Sequence, residues 1–355
     1  MRPSVSESSA ASADTRRAQQ QVRCNRREFV FGTTAAVLAA ASTGTAATEE
    51  PIEWDNPYKD IRGFNYQPSY EATGYAIWRY FQPDKIDVEL GRGKRYFPGI
   101  NTIRLWLSVD AFVVDPNAFA ANFETVLQLL AKYGLKAVPT LFNNWHSVPD
   151  FGGISEEMLR RKFVHDGKKG TAPNYVFRPY LERIVGEHAK DERILLWDLC
   201  NEPHNNPNIK LTLEWLTHTY KTCKALGAIQ PIGVSVQSQL KDVEAISDVF
   251  LIHPYGAAGR PLARFVDFAK QRGKGLLATE TCIGSLNDRA RARTIASDLA
   301  ALAKHGIGFL PHVLHESLVA DCHRPQFGVV HSPGAMHFIN MDGSLRHGHD
   351  VFNKF

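Results

Sequence analysis

Eight short, almost unbroken apolar runs place the tightest constraint on how this 355-residue chain can fold. They cover residues 61–66, 102–107, 136–142, 194–199, 232–236, 249–253, 275–279 and 308–314. A strand with one wet face alternates apolar and polar residues, whereas a strand buried on both faces reads as a continuous run. Amphipathic segments separate the runs. The clearest begins at Asp115-Pro116, an N-cap followed by proline in the first turn. Phe119, Phe123, Val126, Leu127 and Leu130 then recur at spacings of three and four, and Gly134 stops the pattern. Further helices are expected over 180–190, 211–226, 262–271 and 289–305. Strands alternating with helices predict an α/β fold, a single-domain (β/α)₈ TIM barrel over residues 48–355. An open doubly wound sheet is the competitor. The first strand–helix turn lacks the Gly-x-Gly-x-x-Gly that dinucleotide-binding sheets carry. Two connections exceed the usual length, 143–174 after the third strand and a C-terminal extension over 315–355. Both would start at the face where barrel enzymes hold their active sites.

The net charge of +4, from 41 basic and 37 acidic residues, is unevenly placed. Residues 1–47 hold six arginines and three acids, so the remainder carries 35 basic against 34 acidic residues. That near-neutral body gives no electrostatic reason to expect nucleic acid or a membrane surface as partner. The leader has the parts of an export signal: Arg26-Arg27, a mildly apolar Ala/Thr-rich run from Phe29, and small residues Thr45-Ala46-Ala47 before a cleavage point. Paired arginines before a weakly apolar run resemble a twin-arginine signal, which implies an exported, periplasmic or secreted protein. Cys24 lies in the leader. Cys200, Cys223, Cys282 and Cys322 form no Cys-x-x-Cys pair, and three disulfide pairings are open to them; buried free thiols are the default expectation. Oligomeric state is open, with a monomer as the default.

Chemistry concentrates at the ends of the apolar runs. Trp197-Asp198-Leu199-Cys200-Asn201-Glu202-Pro203 closes the fourth strand with an amide and a carboxylate, and Leu277-Ala278-Thr279-Glu280 closes the seventh with another. Parallel strands share direction, so both tips open into one bowl. Two carboxyl groups across a glycosidic bond suffice for its hydrolysis, one protonating the leaving oxygen and the other attacking or activating water. Taken singly, each residue has an ordinary reading. Asn-Glu-Pro can start a helix, Arg104 can be a structural ion-pair arginine, and His253 and Tyr255 can be core. Four strand tips with the right residue types in the right order argue for chemistry.

These motifs resemble the glycoside hydrolases of clan A, and within it the cellulase-like family five, over roughly residues 61–314. The resemblance implies a retaining hydrolase of β-linked glycosides, of β-glucan or β-mannan type, needing no metal and no cofactor and taking an oligo- or polysaccharide. Glu202 would be the acid/base, Glu280 the nucleophile, and Asn201 a contact to the substrate 2-hydroxyl. Arg104 would stand beside the nucleophile. His253-Pro254-Tyr255 matches the family's His-x-Tyr, with His253 near the acid/base and Tyr255 on the nucleophile. Asn65 and Tyr66 fall in the first-strand signature; Asn143, Trp145 and His146 end the third strand, where sugar contacts are expected. Tyr66 and Trp145 are candidate stacking platforms, and Trp78, Trp106, Trp197 and Trp215 are expected in the core. One departure stands out: the eighth strand usually ends in a tryptophan, and here it reads Phe309-Leu310-Pro311-His312-Val313-Leu314-His315-Glu316. His315 or Glu316 would take that place. Two other readings remain: a carbohydrate-binding barrel without turnover, and a metal-dependent hydrolase using His312, His315, Glu316, His323 and His331. The second lacks a zinc-binding spacing and would need His312 and His315 on one face of a strand. His347 and His349 are expected in a surface loop.

Overall fold

The computed structural model describes residues 54–144, 177–319 and 335–355. The leader, Trp145, His146, Cys322, His323 and His331 lie outside them. Eight parallel strands follow one another in sequence order: β1 (Gly63–Tyr66), β2 (Thr102–Trp106), β3 (Lys136–Asn143), β4 (Trp197–Asn201), β5 (Ile232–Val236), β6 (Val249–Ile252), β7 (Gly275–Ala278) and β8 (Gly308–Phe309). A bridge between Arg62 and Phe309 joins the last strand to the first, so the sheet closes on itself as a (β/α)₈ barrel.

The outer layer holds α1 (Gly74–Arg79), α2 (Pro83–Tyr96), α3 (Val109–Val114), α4 (Pro116–Lys132), α5 (Phe177–Leu181), α6 (Ile209–Ala225), α7 (Leu240–Val243), α8 (Leu262–Lys270) and α9 (Asp288–Lys304). In α4 the Asp115 side chain accepts from the Ala118 N–H, Pro116 fills the first turn, and all five apolar stripe residues are buried. The segment expected as one helix from 180 is α5 continued by a π-turn over Glu182–Gly186. Trp78, Trp197 and Trp215 are core residues, as expected, and Trp106 is 8% exposed.

Two strands depart from the sequence expectation. The fourth regular run begins at Trp197, because Ile194 makes only an isolated bridge to Ala137, and it extends to Asn201. The eighth is two residues long, not seven. Pro311 has no N–H to give to a ladder, and beyond it the backbone follows its own course: His312 N–H reaches Thr281 O and Leu314 N–H reaches Asn65 O. The end of the chain returns to this segment. Residues 336–339 exchange backbone hydrogen bonds with 313–316, and Phe338 and Phe352 pack on Phe64.

Candidate active site

Asp198 of β4 faces the barrel interior, and a register shift in the β4–β5 pair between Asp198 and Asn201 lets both of these residues meet the same guanidinium. That guanidinium belongs to Arg104 of β2, which crosses the interior to Asp198. Both are fully buried, and Arg104 Nε and Nη2 donate to Asp198 Oδ2 at 3.1 and 2.8 Å. The same guanidinium donates to Glu280 Oε1 at 2.6 Å, Asn65 Oδ1 at 2.7 Å and Asn201 Oδ1 at 2.8 Å. Asp198 takes further donors from Thr140 and from the Ser235 hydroxyl and N–H. A buried cation shared between two carboxylates and fixed by neutral amides has its desolvation offset on every side.

Glu280 follows the end of β7 and is 5% exposed. Besides Arg104, it accepts the Tyr255 hydroxyl on Oε2 at 2.8 Å, and His253 Nδ1 lies 3.5 Å from that oxygen. Burial alone would raise its pKa. The charges of His253, Arg104 and His312, with the Tyr255 hydrogen bond, outweigh burial and hold it down at about 2. Glu280 is therefore ionised at any ordinary working pH.

Glu202 follows β4 with φ 46° and ψ 58°, a left-handed conformation that non-glycine residues rarely take. Its N–H is anchored on Ser235 O at 2.9 Å, and Pro203 opens a short 3₁₀ turn after it. That turn is not capped by the Glu202 side chain, which disposes of the helix-start reading. The carboxylate instead meets His253 Nδ1 at 2.8 Å on Oε1 and the Asn205 amide at 2.7 Å on Oε2. One oxygen each of Glu202 and Glu280, with a His253 nitrogen, lie within 4.8 Å of one another. The nearest oxygens of the two carboxylates are thus close enough for both groups to reach one bond of a substrate.

Arg104, Asn201, His253 and Tyr255 converge on this pair, Asn65 supports it from below, and Tyr66, Asn143 and His315 stand elsewhere than expected. Asn65 is fully buried below the bowl; its amide is spent on Thr279 O and Leu310 O and its oxygen on Arg104, so it braces the arginine. Tyr66 is no stacking platform: the ring is 3% exposed and its hydroxyl donates to Glu89 of α2 at 2.7 Å. Asn143 is 1% exposed and accepts the Asn201 amide at 3.0 Å, which orients Asn201. His315 does not take the place of the missing tryptophan. Its Nε2 sits 3.2 Å from Arg92 Nη1 of α2, while Glu316 accepts the Met341 N–H. With the ladder ended at Phe309, it is His312 that turns toward the centre, its ring 6.3 Å from Trp106. The C-terminal histidines consequently diverge, and among the described residues they form no group with metal-ligand spacing. His349 is buried against Phe338, not in a surface loop. Cys200, Cys223 and Cys282 are buried free thiols.

Asp198 and Asn205 were not singled out in the sequence. The signal for Asp198 was present, an acid in the middle of an apolar strand four residues before Glu202. Asn205 had none, since its role depends on the turn that Glu202 makes. The Glu202–His253–Glu280 triad has ligand-like spacing, but Arg104 at 2.6 Å from Glu280 opposes a cation there.

No family model matches the chain. It is 24% identical over 172 residues to a probable mannan endo-1,4-β-mannosidase A of Aspergillus clavatus, covering 46% of each chain. It is 22% identical over 215 residues to the mannan endo-1,4-β-mannosidase A of Hypocrea jecorina, covering 53% of this chain and 48% of that one. The aligned stretch thus spans about half the length of the curated relatives it matches. Among solved structures, an exo-β-1,4-mannosidase from an Opitutaceae bacterium superposes with a TM-score of 0.60 at 17% identity, over 82% of this chain and 58% of that one. The family 5 mannosidase of Rhizomucor miehei gives 0.59 at 14% identity, over 85% and 93%. At such identities the structures speak for the fold. In barrel architecture, in the residues at its fourth, sixth and seventh strand tips and in its sequence relatives, the chain resembles the cellulase-like family five of clan A glycoside hydrolases.

Proposed function

We propose that this chain is a retaining glycoside hydrolase that cleaves β-linked glycosides of the β-mannan type by double displacement. The observation that carries this reading is the buried carboxylate pair, with oxygens of Glu202 and Glu280 within 4.8 Å and Glu280 held ionised by Arg104, His253, His312 and Tyr255. In the first step a Glu280 oxygen attacks the anomeric carbon as the bond to the leaving oxygen breaks, and Glu202 gives that oxygen its proton. In the second, Glu202 takes a proton from water, whose oxygen attacks the same carbon and releases Glu280. Asn201 gives one amide hydrogen to Asn143 and has a second for the substrate 2-hydroxyl, a contact that strengthens as charge develops on the sugar. Mannan is favoured among β-glycans by the names of the curated relatives.

Glu280→Gln and Glu202→Gln test the reading. Each is expected to fold and to lose hydrolysis of β-mannan and aryl β-mannosides. Azide should restore turnover of an activated aryl glycoside to a Glu202→Ala variant with the β-glycosyl azide as product, whereas any rescue of Glu280→Ala should give the α-azide. Near-normal turnover by Glu280→Gln would refute the assignment; binding of mannan by the parent with no product over long incubation would favour the non-catalytic barrel. We further infer export through residues 1–47. Replacing Arg26-Arg27 by lysines should keep the protein in the cytoplasm, and undiminished export would remove the twin-arginine reading.

A further inference from the structure

Two buried arginines, Arg291 and Arg346, lie outside the mechanism described above. Arg291 is on the first turn of α9, is fully buried, and no described carboxylate accepts a hydrogen bond from it. Its donors go to backbone carbonyls on three separate stretches of chain. Nη1 serves Cys282 O and Ile283 O, just past Glu280. Nη2 serves His312 O at 2.9 Å, past β8, and Met336 O at 2.7 Å, on the returning C-terminal segment. Its Cζ also stands 5.3 Å from the Phe338 ring centroid. Arg346 holds the flanking carbonyls of Ala335 and His337 and that of Ser285, so two cations grip the same wall. The grip falls where the backbone is least content: Cys282, two residues after Glu280, has φ 65°, a left-handed conformation unfavourable for any residue with a Cβ.

We propose that Arg291 is a positioning residue for the reaction, holding the left-handed turn after Glu280 and the backbone of His312 so that both side chains keep their places around the reacting carbon. Two separate guanidinium nitrogens serve four carbonyls here, whereas an ammonium has three donors on one nitrogen and cannot span them all. Displacement of a catalytic group by about 1 Å costs on the order of 100-fold in rate. The proposal rests on the hydrolase reading, so its test has one arm that needs no substrate.

Arg291→Met keeps length and removes every donor. The expected result is a fall in kcat of about 10- to 100-fold on an aryl β-mannoside, with KM changed less than about threefold. Arg291→Lys should recover only part of the loss. Cys282→Gly added to Arg291→Met should recover activity, because glycine takes a positive φ without strain. Independently, iodoacetamide labelling with peptide mapping should find Cys282 reactive in Arg291→Met while Cys200 and Cys223 stay protected. Unchanged kcat in a folded variant overturns the proposal. So does simultaneous labelling of all three thiols, or failure of both the methionine and lysine variants to fold, either of which makes Arg291 a general structural residue. If the parent turns over no glycoside, the hydrolase reading fails, and selective Cys282 labelling still decides whether Arg291 holds the turn.

Discussion

Arg104→Met perturbs the centre of the site most directly. Methionine approximates the arginine stem in length and fills much of the space, so the main loss is charge and five hydrogen bonds to Asp198, Glu280, Asn65 and Asn201. Two carboxylates are then buried without their cation. Breaking a buried ion pair costs about 3–5 kcal/mol. Asp198 keeps Thr140 and Ser235 as donors, and Glu280 keeps Tyr255 at 2.8 Å and His253 at 3.5 Å, so the cost divides between them. A share of about 2 kcal/mol on Glu280, at about 1.4 kcal/mol per pKa unit, lifts its ionisation by roughly 1–2 units. The acid limb of kcat/KM, set near pH 2 by Glu280 in the parent, should move to between roughly 3 and 4. The assay is initial-rate hydrolysis of an aryl β-mannoside after short exposures from pH 2.5 to 7, with circular dichroism at each pH to show that the variant is folded. Asn201 also loses its anchor, so a plateau loss of about 10-fold or more is expected at neutral pH. An acid limb that stays put, with the plateau unchanged, would refute the claim that Arg104 keeps Glu280 ionised.

Further outcomes follow from the same geometry. Tyr255→Phe removes one hydrogen bond to an ionised carboxylate, worth about 1.5–3 kcal/mol, and should shift the same acid limb upward and lower the melting temperature at neutral pH by several degrees. His349 is fully buried, and desolvation with the nearby Arg346 charge lowers its pKa to about 4. The neutral ring is favoured in the fold, so its contribution is complete above the unfolded value near 6.5 and drains away as pH falls toward 4. Urea midpoints should fall by the equivalent of about 3 kcal/mol over that window, and His349→Phe should flatten the slope. Gly63→Ala would put a Cβ 1.8 Å from Thr102 O within the β1–β2 pair; it should cost at least about 3 kcal/mol, read by thermal unfolding, because backbone on both strands must move.

Sequence by itself determined the barrel and the two carboxylates. Strands buried on both faces must be apolar throughout, so eight runs announced eight strands. A parallel sheet sends all its C-terminal tips to one side, so Glu202, Glu280, His253 and Tyr255 could be placed around one bowl before any coordinate was known. What the tertiary structure decided depends on which side chains meet across the barrel and how the backbone turns at its rim. Tyr66 looked like a platform because a strand tip is a good address for one, yet a buried carboxylate on a neighbouring helix, Glu89, claims its hydroxyl. Asn143 read as a sugar contact, yet its oxygen accepts the Asn201 amide; Asn65, placed only in the first-strand signature, gives its oxygen to Arg104 and its amide to the backbone. The eighth strand read as seven residues because composition records apolarity and not ladder hydrogen bonds; Pro311 ends it early and brings His312, not His315, toward Glu280. Arg291 was invisible for the same reason. Its partners are carbonyl groups, which every residue possesses, so nothing in the sequence could say that three distant segments would present theirs to one guanidinium.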